Sequence, residues 1–269
     1  MADPYLCQVG ARVSCGACCG LYNVHDLSRT GLETRLAERT AAFARVPRRA
    51  RAIEDFARQH LGWTPESRPF PHFYHCPFLG LIGASHMRVG CLLHPEAPGN
   101  GGRDWRALSY YGAKACRTYF CPTTERLRVE YREILRASFD HWYLYGLIIT
   151  EYRLWSAFFE EFERRIGRRA TRVDFVKGSA ARAPLQKFAA LKLNWPFRRP
   201  DAPGPCHFFF DEVSYPRPEV ACGDPARPDA PLDIIFRELE SSFRNQTERR
   251  RAEAAVLAII RALVAAVRD

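Results

Sequence analysis

VSCGACCG, residues 13–20, puts three thiols within five positions: Cys15, Cys18 and the adjacent Cys19. Thiols this close together hold a metal, close disulfides or act as nucleophiles, and the rest of the chain has to decide between these. The ten cysteines are unevenly spread. Cys7 precedes this burst; Cys76, Cys91, Cys116 and Cys121 form a second; Cys206 and Cys222 stand far downstream, and residues 122–202 hold none. Close cysteine pairs separated by tens of residues are the sequence form of a thiolate metal site, in which separate loops supply ligands and the ion joins them. All-thiolate donor sets favour zinc, iron–sulfur clusters or copper(I) over hard cations.

The compartment bears on that choice. The start, MADPYLCQVGARVSC, has no long apolar run behind a basic one, so no signal peptide is expected. The apolar runs Trp142–Thr150 and Ala254–Val267 are shorter than the roughly 20 residues a membrane span needs. A cytoplasmic chain with reduced thiols is therefore expected, and a disulfide framework is disfavoured. With 269 residues, 47% hydrophobic and 26% charged, the chain can bury a sizeable core. Its formal charge is +10. Only Lys114, Lys177, Lys187 and Lys192 are lysines, and arginines alternate with carboxylates, as in Glu160–Arg169. That is the pattern of solvated helix faces, and a nucleic-acid surface concentrates its charge instead. The short basic runs Arg48–Arg51 and Arg249–Arg251 are read as helix surface.

The chain reads as mainly α. An irregular, metal-stabilised, cysteine-rich region packed with helices is expected over residues 1–125, and a helical region of unassigned role over 126–269. Leu32, Leu36 and Phe43 give a helical stripe that Asp26 or Ser28 can cap. Pro47 can open a second helix carrying Ile53, Phe56, Ala57 and His60. Residues 62–104 are rich in Pro, Gly and aromatics and read as loop, a stretch that needs a bound ion or some other source of order. Residues 123–169 read as one or two long helices, apolar enough to be buried on more than one side. A strand is expected at HFFFDEV, residues 207–213, and two helices over Leu232–Val267.

Taken in order, CGACC (15–19), CPFLG (76–80), CLLHP (91–95) and ACRTYFC (115–121) resemble the YkgJ-type cysteine-cluster family, described as a zinc- or iron-chelating domain. The resemblance covers roughly residues 12–125. It implies metal ligation by Cys15, Cys18, Cys19, Cys76, Cys91, Cys116 and Cys121. The family's first cysteine falls on Arg12 here, and Cys7, close to it but out of register, is one candidate to replace it. The family's tyrosine-containing segment after the lone cysteine is replaced by LLHPEAP, which makes His94 a candidate for the missing eighth ligand. A flagellin methylase label sometimes attached to the family finds no support in these residues.

Two classes of function follow. In the first, the cluster is a structural or accessory zinc or iron–sulfur site, closed and without chemistry of its own. In the second, an iron–sulfur enzyme carries out redox or group-transfer chemistry. A weaker third is a basic zinc module on nucleic acid. Cys116 beside Arg117 is a candidate nucleophile behind its reading as a ligand, since a nearby cation lowers a thiol pKa. The cluster Cys206, His207, Asp211 and Glu212 can contribute to a second site. No phosphate-binding glycine loop, G-x-S-x-G, H-E-x-x-H or C-x3-C-x2-C run occurs. Consecutive side chains diverge, so Cys18 and Cys19 are expected to serve two sites, or one site with a bystander.

Overall fold

A computed structural model describes residues 4–60, 68–71, 73–176, 178–205 and 230–268. It is mainly helical, as the sequence predicts. The segment 207–213, where a strand is expected, lies outside the described residues, as do Cys206 and Cys222.

After a single 3-10 turn at Ala17–Cys19 come α1 (Arg29–Ala44) and α2 (Ala50–His60). Ser28 caps α1 by accepting from the Gly31 N–H, which satisfies one of the orphan amides of the first turn. The expected stripe is buried: Leu32, Leu36 and Phe43 on α1, Ile53 and Phe56 on α2. The loop-rich stretch that follows contains a short antiparallel hairpin, β1 (Leu79–Ile82) and β2 (Arg88–Cys91), which pairs Leu79 with Cys91. Four-residue strands containing Gly80 and Gly90 leave too little alternation to be read from sequence.

Residues 123–169 form four helices: α4 (Thr123–Arg126), α5 (Val129–Ser138), α6 (Trp142–Ile148) and α7 (Tyr152–Ile166), preceded by α3 (Gly112–Thr118). The first two breaks are extended residues, Leu127 and then Phe139 and His141, and the third falls at Ile149–Glu151, where Ile149 keeps a helical conformation. Then come α8 (Arg182–Asn194), α9 (Pro231–Glu238) and α10 (Gln246–Arg268). The helix α7 is central, packed against α5, α9 and α10. Its aromatic face stacks on its neighbours: Phe158 on Phe188 of α8 at 4.0 Å, and Phe159 on Tyr131 of α5 at 4.3 Å.

The main apolar core crosses the boundary at residue 125. Leu6, Val13, Leu21, Tyr22, Leu32 and Leu36 belong to the same buried cluster as Tyr131, Trp155 and Ile260. A smaller cluster of Phe43, Ile53, Phe56, Phe78, Leu92, Leu93 and Trp105 sits under α1, α2 and the hairpin, with Cys76 in it. Among the described residues, no helix is long and apolar enough to cross a membrane.

One charge is sealed in the helical core. Lys192 of α8 is fully buried, donating to Glu151 Oε2 at 3.0 Å and to the Glu238 carbonyl at 2.8 Å. Removing one member of such a pair strands the other charge, which costs more than the pair contributes. Lys192→Met is expected to lower the unfolding free energy by about 3–5 kcal/mol. Lys192→Met combined with Glu151→Gln is expected to recover most of that loss, both read from urea denaturation.

Candidate metal centre

The thiol region is built on α6. Tyr22, just past the CGACCG turn, donates its hydroxyl to the Tyr143 carbonyl at 2.9 Å. Tyr145 donates to the Leu6 carbonyl at 2.8 Å, and Tyr143 to the Leu27 carbonyl at 2.6 Å. Gly146 lets the turn lie this close, since a Cβ there would stand 2.4 Å from the Tyr22 hydroxyl. The Cys15 thiol faces the Gly146 carbonyl at 3.7 Å.

Two backbone contacts then gather the cysteines. An isolated bridge between Gln8 and Ser14 folds the N-terminal segment back, and the Cys15 N–H donates to the Cys7 carbonyl at 2.8 Å. On the other side, the Cys76 N–H donates to the Cys19 carbonyl, also at 2.8 Å. His75 locks that second junction. Its Nδ1 lies 2.8 Å from the Gly20 carbonyl and its Nε2 lies 3.1 Å from Arg39. A carbonyl only accepts and a guanidinium only donates, so the ring is the neutral Nδ1–H tautomer with both nitrogens engaged. Burial and the Arg39 charge depress its pKa to about 3. Arg39 also donates to the Cys76 and Leu79 carbonyls, which fixes the base of the hairpin.

The seven cysteines read as ligands from the sequence all lie in this region, and Cys7 joins them. The strongest electrostatic neighbours of Cys7 are Cys18 and Cys121, and those of Cys15 are Cys18, Cys7 and Cys121. Cys19 instead faces Cys18, Cys76 and Cys91, while Cys76 and Cys91 face each other and Cys116. Cys18 and Cys19 hydrogen-bond to each other, which lowers the Cys18 pKa and, together with burial, raises that of Cys19. Burial pushes Cys7 and Cys91 up to about 12, and raises Cys15, Cys76 and Cys121 as well. These eight cysteines are free thiols. Among the described residues, no three His, Cys, Asp or Glu side chains are gathered closely enough to hold an ion as they stand.

One backbone amide is bonded to a sulfur. Ala17 N–H donates to Cys15 Sγ at 3.4 Å. Such a bond favours the charged thiolate over the thiol. Against the larger effect of burial, the Phe78, Leu93 and Thr123 amides, each two residues after a cysteine, lower the pKa of Cys76, Cys91 and Cys121. The His94 and Thr124 N–H groups donate to the Cys91 and Cys121 carbonyls at 3.1 and 3.0 Å.

His94 behaves as backbone here. Its Nδ1 accepts from the Glu96 N–H at 3.2 Å, and its ring faces Arg106, Glu96, Asp104 and Arg88. Burial, then Arg106, lowers its pKa. Arg117, set beside Cys116 in the sequence, pairs with Asp104 at 2.7 Å. The Cys116 sulfur meets the Ser109 hydroxyl at 2.9 Å. Asp104 also holds Arg106, which stands beside Cys91 and Cys116. Cys7, out of register with the motif and an alternative to His94 for the eighth position, is set alongside Cys15 by the Gln8–Ser14 bridge.

Comparison with family models, with curated proteins and with solved structures gives no match to this chain.

Gly20 governs how closely the two loops meet. Its φ is +81°, and a Cβ there would lie 2.3 Å from the Tyr74 carbonyl oxygen and 2.8 Å from His75 Cα. Gly20→Ala is expected to cost on the order of 3 kcal/mol and to speed alkylation of Cys19 and Cys76. Gly102 has φ +80° but open space around it. Gly102→Ala is expected to cost only about 1 kcal/mol and to leave thiol reactivity unchanged. Equal effects of the two would show that backbone conformation alone, and not the close approach, sets the cost.

Proposed function

We propose that this chain is a metal-binding protein whose cysteine cluster holds zinc in a structural or accessory role. The observation that carries the reading is that separate loops bring their cysteines together through backbone bonds, the Cys15 N–H donating to the Cys7 carbonyl and the Cys76 N–H to the Cys19 carbonyl. One amide, that of Ala17, donates to a sulfur, which favours the thiolate form that a cation would take up. The donor chemistry agrees: eight thiols from separate loops form a soft set that suits zinc or iron and disfavours hard cations. The ordered run CGACC, CPFLG, CLLHP and ACRTYFC, with its resemblance to a chelating family, points the same way.

Zinc bound by four thiolates has no open coordination position, so it ties loops together rather than acting on a substrate. Here it would tie the 15–19 turn to the 76–121 loops, and its binding free energy would be folding free energy for that region. The basic runs lend little to a nucleic-acid role. Arg48 lies over the Phe43 ring and donates to Asn100, and Arg249 pairs with Asp233 at 2.7 Å.

Elemental analysis and a UV–visible spectrum on protein purified without oxygen test the reading. A colourless protein carrying zinc is expected. Cys76→Ser is expected to lower the metal content and the stability, and Cys222→Ser to change neither. Iron with labile sulfide and a broad band near about 400 nm would replace zinc with an iron–sulfur cluster and reopen redox chemistry. Protein without metal, or a Cys76→Ser variant with its metal intact, would overturn the reading.

A further inference from the structure

We infer that Cys7 and Cys15 are a reversible thiol–disulfide pair, set opposite each other by the Gln8–Ser14 bridge and oxidised by a small disulfide of the glutathione type. The inference goes beyond the metal reading and needs no ion at the site.

The backbone carries it. Around the antiparallel bridge, the Cys15 N–H donates to the Cys7 carbonyl at 2.8 Å and the Val9 N–H to the Val13 carbonyl at 3.0 Å. Cys7 thus stands directly across from Cys15. Residues opposed in this way have Cα atoms about 5.5 Å apart, inside the roughly 4.4–6.8 Å that a disulfide spans. Side chains alternate between the two faces of such a pairing. Gln8 and Ser14 turn toward the hairpin: Gln8 Nε2 donates to the Val89 carbonyl at 3.0 Å, and the Val89 N–H donates to Ser14 Oγ at 2.9 Å. Cys7 and Cys15 therefore share the other face, where the Cys15 thiol lies 3.7 Å from the Gly146 carbonyl of α6. The Tyr145 bond to the Leu6 carbonyl pins the residue before Cys7 to the same helix. Among the described residues, no other two cysteines oppose each other in a strand pairing.

In the conversion, one thiolate of the pair attacks a sulfur of oxidised glutathione and releases one reduced glutathione. The second thiolate then displaces the other glutathione from the mixed disulfide. One S–S bond forms and one breaks, and two electrons and two protons pass from the protein to two glutathione molecules. Both cysteines are half-buried free thiols, within reach of a small disulfide. Burial raises the pKa of both, that of Cys7 to about 12, so exchange is slow and the pair is read at equilibrium. Once formed, the bond closes residues 7–15 into a loop and takes the Cys15 sulfur out of any ligand set.

The test equilibrates the full-length protein at stepped ratios of reduced to oxidised glutathione, with a chelator present so that no ion covers Cys15. Remaining thiols are trapped by alkylation, and peptides are mapped by mass spectrometry without reduction. Trypsin cuts after Arg12, which places Cys7 on one peptide and Cys15, Cys18 and Cys19 on the next. The two peptides are expected to emerge joined, with fragmentation locating the bond at Cys15, and to part again in excess reduced glutathione. Cys18→Ser is expected to keep the linkage, and Cys15→Ser to leave Cys7 reduced. In denaturing urea, where the bridge is lost, Cys7 is expected to spread over Cys15, Cys18 and Cys19. The native-sequence readout needs no variant to fold. Cys7 joined to Cys18 or Cys121, Cys7 left reduced or as a glutathione adduct at every ratio, or the same mixture with and without urea would overturn the inference. Each of those results leaves the metal reading standing, since elemental analysis decides that separately.

Discussion

The amide of Cys76 donates to the carbonyl of Cys19 at 2.8 Å, and that contact joins the two cysteine-bearing loops, with Asn23 bonded to Phe70 and Phe73 beside it. It forms only because Gly20 adopts a left-handed backbone and presents no side chain to Tyr74 and His75. His75 and Arg39 then close over it. The imidazole bridges the Gly20 carbonyl and the guanidinium, which in turn reaches the carbonyls at the base of the hairpin. A buried arginine that satisfies several carbonyls does for an irregular segment what a ladder of amides does for a sheet.

Helix α6 supplies the opposite wall. It is short and buried, and the hydroxyls of Tyr143 and Tyr145 donate to carbonyls of the N-terminal segment. Tyr22 returns the arrangement by donating to α6. These bonds satisfy carbonyls that the irregular chain would otherwise bury without partners, at a site where such a loss costs on the order of 1–3 kcal/mol each. The thiols therefore sit between a rigid helical core and a hairpin, and their positions are set by groups outside the cysteine motifs.

Much of this was legible before the structure, and the limits have physical causes. Helix α1 carried its own signals, a capping Ser28 and the stripe of Leu32, Leu36 and Phe43. The stretch 123–169 read as fewer, longer helices, because apolar periodicity continues across the extended residues at Leu127, Phe139 and His141. The one local mark is His141, whose ring caps α6 by accepting from the Tyr143 N–H, and α5, α6 and α7 all contribute to the same buried cluster. The hairpin escaped because Gly80 and Gly90 interrupt strands of only four residues. Seven cysteines announced themselves by spacing. Cys7 and His94 stood as alternatives for the eighth position; a bridge between Gln8 and Ser14 sets Cys7 alongside Cys15, and the His94 Nδ1 accepts from the Glu96 N–H.

The order in which the wall and the thiols occur along the chain has a consequence for biosynthesis. A polypeptide emerges from the ribosome N-terminus first. Every cysteine of the region lies at or before Cys121, whereas α6, against which Cys15 rests, spans Trp142–Ile148 and is synthesised later. A nascent chain thus displays its thiols to the cell before it owns the surface that shelters them. During that interval Cys15 and its neighbours meet whatever ions and oxidants surround the ribosome, and the helical half arrives to enclose the result.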